Sequence, residues 1–132
     1  KMSKSTVGSG HAIALLDDPG IIQKKIARAT TDSKPAIDLN DLSPGIANLL
    51  TIAQACDSSF TPQAAAGMRY GDFKKRVAEI IIARLEPIRQ RYREITADPL
   101  YIDRVLEQGR EHVLPLAEAT ICKTKRAMGL YV

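Results

Sequence analysis

The sequence is poor in several residue types that mark particular protein classes. It has no tryptophan and only two cysteines in 132 residues. Cys56 and Cys122 form no CxxC pair, and His11 and His112 complete no zinc-binding spacing. We therefore expect no metal site and interpret both cysteines as small buried apolar residues. The longest apolar runs are a few residues, far below the ~20 that a bilayer requires, so we expect no membrane partner.

The charge balance is mildly basic. There are 19 lysines and arginines against 15 aspartates and glutamates, which gives a net charge of +4. Such a surplus permits contact with nucleic acid, but it is smaller than that of most dedicated DNA-binding proteins. The apolar fraction of 45% and the charged fraction of 26% are those of an ordinary globular domain. The composition predicts a folded chain and leaves nucleic-acid binding open.

Proline marks four helix starts. At the first helical position proline costs no backbone hydrogen bond. Each of these prolines follows an Asp, Ser or Thr that can serve as N-cap. The four are Pro19, Pro44, Pro62 and Pro99. We expect Asp17 or Asp18 to cap the first helix. That helix should end near residues 31–33, because Lys34 precedes a proline and is disfavoured in helical angles.

The longest apolar stripe follows Gly71-Asp72, with apolar residues at steps of three and four. Pro87 lies inside it and Pro115 inside the last stripe, and we expect each proline to bend its helix without breaking it. Gly129 is a natural C-terminal cap. No alternating pattern typical of strands stands out. The predicted fold is all-α, a bundle of four to five helices preceded by a flexible loop.

The first five residues, Lys1-Met2-Ser3-Lys4-Ser5, form the motif KMSKS within a stretch rich in Ser, Gly and Thr. Such a loop is basic and carries hydroxyl donors, so it is suited to close over a triphosphate. Its lysines would neutralise charge that develops on leaving pyrophosphate. A pentamer of this kind also occurs by chance on exposed loops, and the motif alone leaves both interpretations open.

Longer blocks add a family resemblance. The Asp-Pro helix start with IIQKKIARATTDS, then GIANLLTIAQAC, YGDFKKRVAEIIIARLEPIRQRYRE and the closing KTKRAMGL resemble the region that follows KMSKS in bacterial tryptophanyl-tRNA synthetases. The resemblance spans about residues 1–5 and 16–130. These blocks are far more specific than KMSKS itself. The helical periods alone indicate only an α-domain.

The resemblance implies a fragment of a class I enzyme that activates tryptophan with ATP and Mg²⁺ and then charges its tRNA. Members are cytoplasmic homodimers whose Rossmann catalytic domain, with an HIGH-type motif, precedes KMSKS. This chain carries no HIGH-like sequence, so the isolated fragment should be inactive and hold no cofactor. Residues 1–15 would be the ATP-site loop and residues 16–132 a helical domain that binds the tRNA anticodon, with tRNA rather than DNA as partner.

The resemblance also assigns candidate site residues. Lys1, Ser3 and Lys4 match positions that engage ATP phosphates, with Lys4 the catalytic candidate for pyrophosphate stabilisation and Met2 and Ser5 holding the loop. Residues 31–33 (Thr31, Asp32 and Ser33) match a region implicated in anticodon contact.

Basic residues of the long helix have two interpretations. Lys74, Lys75, Arg89 and Arg93 are candidates for tRNA phosphate contact. Alternatively, these cations belong to a solvated face balanced by glutamates at helical spacing. A structural role for the whole bundle is the other interpretation of the chain: it would buttress the catalytic domain, with tRNA recognition needing the intact dimer. A free-standing helical RNA- or protein-binding module is a remote third.

A few other side chains have more than one interpretation. Arg84 falls in the apolar stripe, so we expect it to be buried and paired with a carboxylate such as Asp57 or Glu118, or to border a covered surface. Tyrosines in the helices either stack on unpaired bases or pack in the core; the three are Tyr70, Tyr92 and Tyr101.

Overall fold

The computed structural model describes residues 10–32 and 34–131, and within these ranges the protein is all-α, as the sequence predicts. No strand is present among them. Five helices follow one another along the chain: α1 (Pro19–Ala27), α2 (Pro44–Cys56), α3 (Pro62–Ala65), α4 (Tyr70–Thr96) and α5 (Pro99–Ala127).

The predicted helix starts are confirmed at all four prolines, each of which occupies the first helical turn. The predicted caps hold only in part. Asp98 accepts a hydrogen bond from the Tyr101 amide, but Asp18 is the N-cap of α1 without any side-chain bond. The Asp17 carboxylate accepts instead from the Ala14 amide at 2.9 Å. Proline therefore sets these starts more than the side-chain caps do.

The first helix ends earlier than the sequence predicts, at Ala27 rather than near residues 31–33. The backbone turns because the segment after α1 packs against the start of α2. A Cβ added to Gly45 would lie 2.2 Å from the carbonyl oxygen of Thr30. Glycine therefore permits this close approach, and the chain leaves the helix before Thr30 to make it.

The hydrophobic core lies in the first of two compact units, which ends at Gln90. It comprises buried side chains of the first four helices and the segments between them: Ile22, Ile26, Ile37, Ile46, Leu49, Leu50, Ala53, Phe60, Ala65, Phe73, Val77, Ala78, Ile80 and Ile81. Gly67 closes α3 with a φ of +72°, a left-handed conformation that favours glycine. The wide apolar band predicted for α2 is confirmed by these contacts.

Arg84 is exposed, so the prediction that it is buried and paired was wrong. The reason is that the core ends near Leu85: Ile88, the next apolar residue of the stripe, is already 44% exposed. The buried cation of α4 is Arg89, which is only 6% exposed. Helix α4 runs through Pro87 without a break.

The second unit begins at Arg91 and contains the end of α4 and all of α5. No residue of α5 is buried, and its apolar stripe is exposed. Pro115 lies inside the helix. Gly129, with a φ of +71°, ends it, and the Gly129 and Leu130 amides donate to the carbonyls of Arg126 and Lys125. This is a Schellman-type end, as the glycine predicts.

Both cysteines are free and half-buried, Cys56 among the partly buried residues beside the core. No helix in the part of the chain that the structure describes is long and apolar enough to cross a membrane.

Candidate functional site

Six of the residues assigned from the sequence lie outside the described residues. They are the five of the KMSKS motif, Lys1 to Ser5, and Ser33 in the predicted anticodon segment. Their roles stay predictions.

Four of the remaining candidates lie where the end of α1 meets the start of α4: Thr31, Asp32, Lys74 and Lys75. The ammonium group of Lys74 donates to the carbonyl oxygen of Ala29 at 2.8 Å and reaches that of Ala27 at 3.4 Å. Ala27 is the last residue of α1 and Ala29 lies just beyond its end, where a cation is favoured by the helix dipole. Lys74 thereby holds Thr31 and Asp32, which follow this turn, beside the first turn of α4.

Asp32 is anchored within this junction. Its Oδ1 atom accepts hydrogen bonds from the Tyr70 hydroxyl and from the Lys34 amide, the latter at 3.0 Å. These two donors, Tyr70 first, hold the pKa of the Asp32 carboxyl below its usual value. The same contact raises the pKa of Tyr70 to about 12. Asp32 is thus ionised at neutral pH, and one of its oxygens is engaged by the protein.

The Tyr70 contact bears on the tyrosine candidates. The Tyr70 hydroxyl donates its hydrogen bond to Asp32, and the Tyr70 side chain is half-buried. Tyr70 is therefore a packing residue of the junction. Tyr92 and Tyr101 are more open, at 50% and 41% exposure. Among the three, only the latter two present a large part of their surface to solvent, and base stacking stays a prediction for them.

A groove of about 420 Å³ opens between α1 and α4 beside this junction. It is lined by Gln23 and Ala27 of α1 and by Gly71, Lys74, Lys75 and Ala78 of α4. Lys75 and Gln23 are exposed, whereas Ala78 is buried at the floor. Two cations and an amide therefore surround a floor of small residues. The sequence did not single out Gln23, because a lone glutamine on a helix carries no motif.

Arg89 is not among the residues that line this groove. Arg93 is exposed and belongs to the second unit. The Arg89 guanidinium binds Glu86 Oε2 at 2.6 and 3.1 Å and the Ile82 carbonyl at 3.2 Å. A guanidinium enclosed in this way presents no free charge to a phosphate, which argues against the predicted tRNA phosphate contact of Arg89.

Arg89 instead joins a network that the sequence did not reveal. Its Nη1 donates to the Asp17 carbonyl at 2.9 Å. Lys25 Nζ binds the Asp17 carboxylate at 2.6 Å and the Ala12 carbonyl at 2.8 Å. The Lys25 and Asp17 side chains are only 17% and 15% exposed. The network ties residues 12–17 to α1 and α4 within the first unit.

Electrostatics fix the state of this network. Partial burial opposes ionisation of Asp17, but the Lys25 ammonium and the Ala14 amide outweigh it, and the pKa of the Asp17 carboxyl stays below its usual value. The carboxylate is therefore charged and paired at neutral pH.

Other cations of α4 follow the solvated-face interpretation. Arg76 pairs with Glu79 at 3.5 Å and Arg91 with Glu94 at 3.1 Å, both at i,i+3 spacing and largely exposed. Exposed pairs of this kind contribute little to stability. Lys75 belongs to neither pair and lies beside the groove. In the described part of the chain, no group of three or more His, Cys, Asp or Glu is arranged to hold a metal ion.

Comparisons with known proteins identify the family. Residues 1–86 match the family of tRNA synthetases class I (W and Y). Tryptophan–tRNA ligase of Helicobacter pylori is 44% identical over 133 residues, which cover 98% of this chain and 40% of that protein. Tryptophan–tRNA ligase of Enterococcus faecalis is 42% identical, with the same two coverages. Tryptophan–tRNA ligase 1 of Streptomyces coelicolor is 39% identical over 98% of this chain and 39% of its own length.

The chain thus spans about 40% of the length of these relatives. The family match covers well over half of it and includes α1, α2, α3 and the first part of α4 with the junction. The chain belongs to the class I tRNA synthetase family of the W and Y enzymes.

Proposed function

We propose that this chain is the tRNA-binding part of a tryptophan–tRNA ligase and that its helices contact the anticodon region. The relatives that match 98% of the chain carry that activity in their names. The observation that carries the proposal is the grouping of Thr31, Asp32, Lys74 and Lys75 at one junction. The pair 31–32 and the pair 74–75 are far apart in sequence, and each residue is a tRNA-contact candidate on sequence grounds alone. They meet because Lys74 binds the end of α1.

Charge supports this surface as an RNA contact. Lys74 and Lys75 lie beside the groove without a carboxylate among its lining residues. Lysines that neutralise phosphates release bound counterions, which makes such binding salt-dependent. The Asp32 carboxylate is turned into the protein, with Oδ1 bonded to Tyr70 and Lys34 and Oδ2 buried, so it positions the segment after α1 and leaves the RNA contact to the lysines.

A nuclease-protection experiment tests the location. Tryptophan tRNA is digested with a single-strand-specific nuclease in the presence of the chain. Protection of the anticodon loop, with the acceptor end still cut, is expected. Protection of the acceptor end alone would contradict the proposal, and a Lys75→Glu chain should lose the loop protection.

In the full-length protein, the KMSKS residues would serve the ATP site. ATP supplies the phosphoanhydride that activates the amino acid, with Mg²⁺ on its phosphates. The residues that would engage ATP are Lys1, Met2, Ser3, Lys4 and Ser5, and Lys4 would stabilise pyrophosphate as it leaves. Lys4→Ala in the full-length protein should lower the ATP–pyrophosphate exchange rate by orders of magnitude, in line with loss of a preorganised contact. The chain alone should show no exchange above blank.

The second candidate is a buttress for the catalytic domain of a cytoplasmic homodimer. It is favoured by α5, whose long apolar stripe has no buried residue. Under this candidate, the chain alone binds tRNA without regard to the anticodon sequence, since recognition then needs the intact dimer. Anticodon discrimination by the isolated chain separates the two.

A further inference from the structure

We infer that the groove between α1 and α4 is a pocket for one unpaired nucleotide of the bound RNA. The inference rests on the proposed function and deepens it by naming the ligand and the residues that would hold it. The groove of about 420 Å³ falls within the size range of ligand clefts, roughly 300–1,000 Å³.

The walls of the groove fit a planar, anionic ligand. Ala27, Gly71 and Ala78 contribute no side chain longer than a methyl group, so the floor accepts the face of a flat ring. Gln23 brings an amide with both donor and acceptor atoms, which matches the edge of a base. Lys74 and Lys75 bring two positive charges. No carboxylate is among the lining residues, so nothing there opposes a phosphate.

Lys74 and Lys75 have different tasks in this arrangement. Two carbonyl oxygens of the α1 end accept from Lys74 Nζ, and a third ammonium proton remains for a ligand. The Lys74 charge is thereby held at a fixed place beside the groove. Lys75 follows Lys74 in α4, is exposed and also lines the groove. Lys75 is therefore the residue for phosphate, and Lys74 holds the junction that shapes the groove.

Gly71 keeps the groove open. A Cβ added there meets no atom within 4 Å, and the φ of Gly71 is not in the left-handed region. A larger side chain at this position fills the groove without straining the fold. Gly20 offers a matched control, because it is likewise the second residue of a helix, open around its Cβ, and absent from the groove lining.

The test compares Gly71→Leu with Gly20→Leu in binding of the full chain to tryptophan tRNA, with thermal unfolding as a check of folding. Gly71→Leu should weaken binding about tenfold or more, the usual scale of one lost base contact. Gly20→Leu should bind like the wild type. Equal affinities of the two variants would overturn the pocket while the proposed function stands. A wild-type chain that does not bind tRNA even at low salt would overturn both.

Two further variants test the assigned roles. Lys75→Gln should weaken binding to all RNAs alike and reduce the slope of log affinity against log salt by about 1. Gln23→Leu should leave that slope unchanged and reduce the preference between RNAs that differ at one unpaired base. A salt slope unaltered in Lys75→Gln would remove the phosphate role. If free mononucleotides at micromolar concentration displaced the tRNA, the groove would be a site for a free nucleotide, and the inference that it holds a nucleotide of bound RNA would be overturned.

Discussion

Arg89 donates a hydrogen bond from Nη1 to the carbonyl oxygen of Asp17, 72 residues earlier in the chain, at 2.9 Å. The contact secures the segment before α1 against the middle of α4. It also explains why a basic residue that suggested RNA binding from sequence is buried. The cation satisfies backbone carbonyls and Glu86 rather than solvent or phosphate.

Arg89→Met should lower the free energy of unfolding by about 2 kcal/mol or more, because buried carbonyls lose a charged donor. Arg110→Met is the control. Arg110 pairs with Glu107 at the same i,i+3 spacing, but both side chains are more than half exposed, and the change should cost much less stability than Arg89→Met. Urea unfolding measures both. Equal stability losses would show that the buried network contributes nothing beyond the helical pair.

The Asp17–Lys25 pair predicts a pH dependence of stability. Because the folded pKa of Asp17 lies below the ordinary value of 3.8, its contribution is present above that value and is lost as pH falls through the folded pKa. Asp17→Asn should therefore be less stable than the wild type at neutral pH, and the difference should shrink in acid. Urea unfolding at several pH values measures this. A pH-independent Asp17→Asn difference would contradict the pairing.

The hydrogen bond between Tyr70 and Asp32 predicts a loss of stability at alkaline pH. The pKa of Tyr70 is raised to about 12 from 10.0, chiefly by the Asp32 contact, so the protonated phenol is favoured in the folded state. The stabilisation is complete below pH 10 and is lost as pH rises through about 12. Ultraviolet titration should show one tyrosine ionising near pH 12. Tyr70→Phe should remove this step and Tyr92→Phe should leave it, and the reverse pattern would refute the contact.

Gly45 predicts a packing effect. Gly45→Ala should destabilise the protein by about 3 kcal/mol, because its Cβ would lie 2.2 Å from the Thr30 carbonyl oxygen, which belongs to the backbone and cannot rotate away. Gly20→Ala, open on all sides, should instead be neutral or stabilise by up to about 1 kcal/mol. Thermal unfolding compares the two. A tolerated Gly45→Ala would show that α2 is not packed on the Thr30 segment.

Local signals explain what the sequence predicted well. Proline at the first helical position and glycine at a left-handed C-terminal position act through their own backbone, so Pro44, Pro99 and Gly129 could be interpreted without knowing the fold. Tertiary contacts explain the failures. Arg84 and Arg89 lie on the same helix, and Arg89 is the buried one because the segment before α1 packs over it through the Asp17 carbonyl, a contact that helical spacing alone does not contain.

The candidate site was predictable in part for the same reason. The family resemblance supplied residues 31–33, and basic composition supplied Lys74 and Lys75. Their meeting depends on the Lys74 contact with the Ala29 carbonyl just after α1, which joins residues 45 positions apart. Neither periodicity nor charge count contains such a contact. Gln23 and Gly71 became candidates only once the groove was visible.

The most direct test of the central claim is equilibrium binding of the chain to tryptophan tRNA and to the same tRNA with a swapped anticodon, across a salt series. If the helices bind the anticodon, the cognate tRNA should bind more tightly by about 1–3 kcal/mol, and the gap should persist as salt lowers both affinities. Equal and steeply salt-dependent binding of the two tRNAs would contradict the claim and place recognition outside this chain.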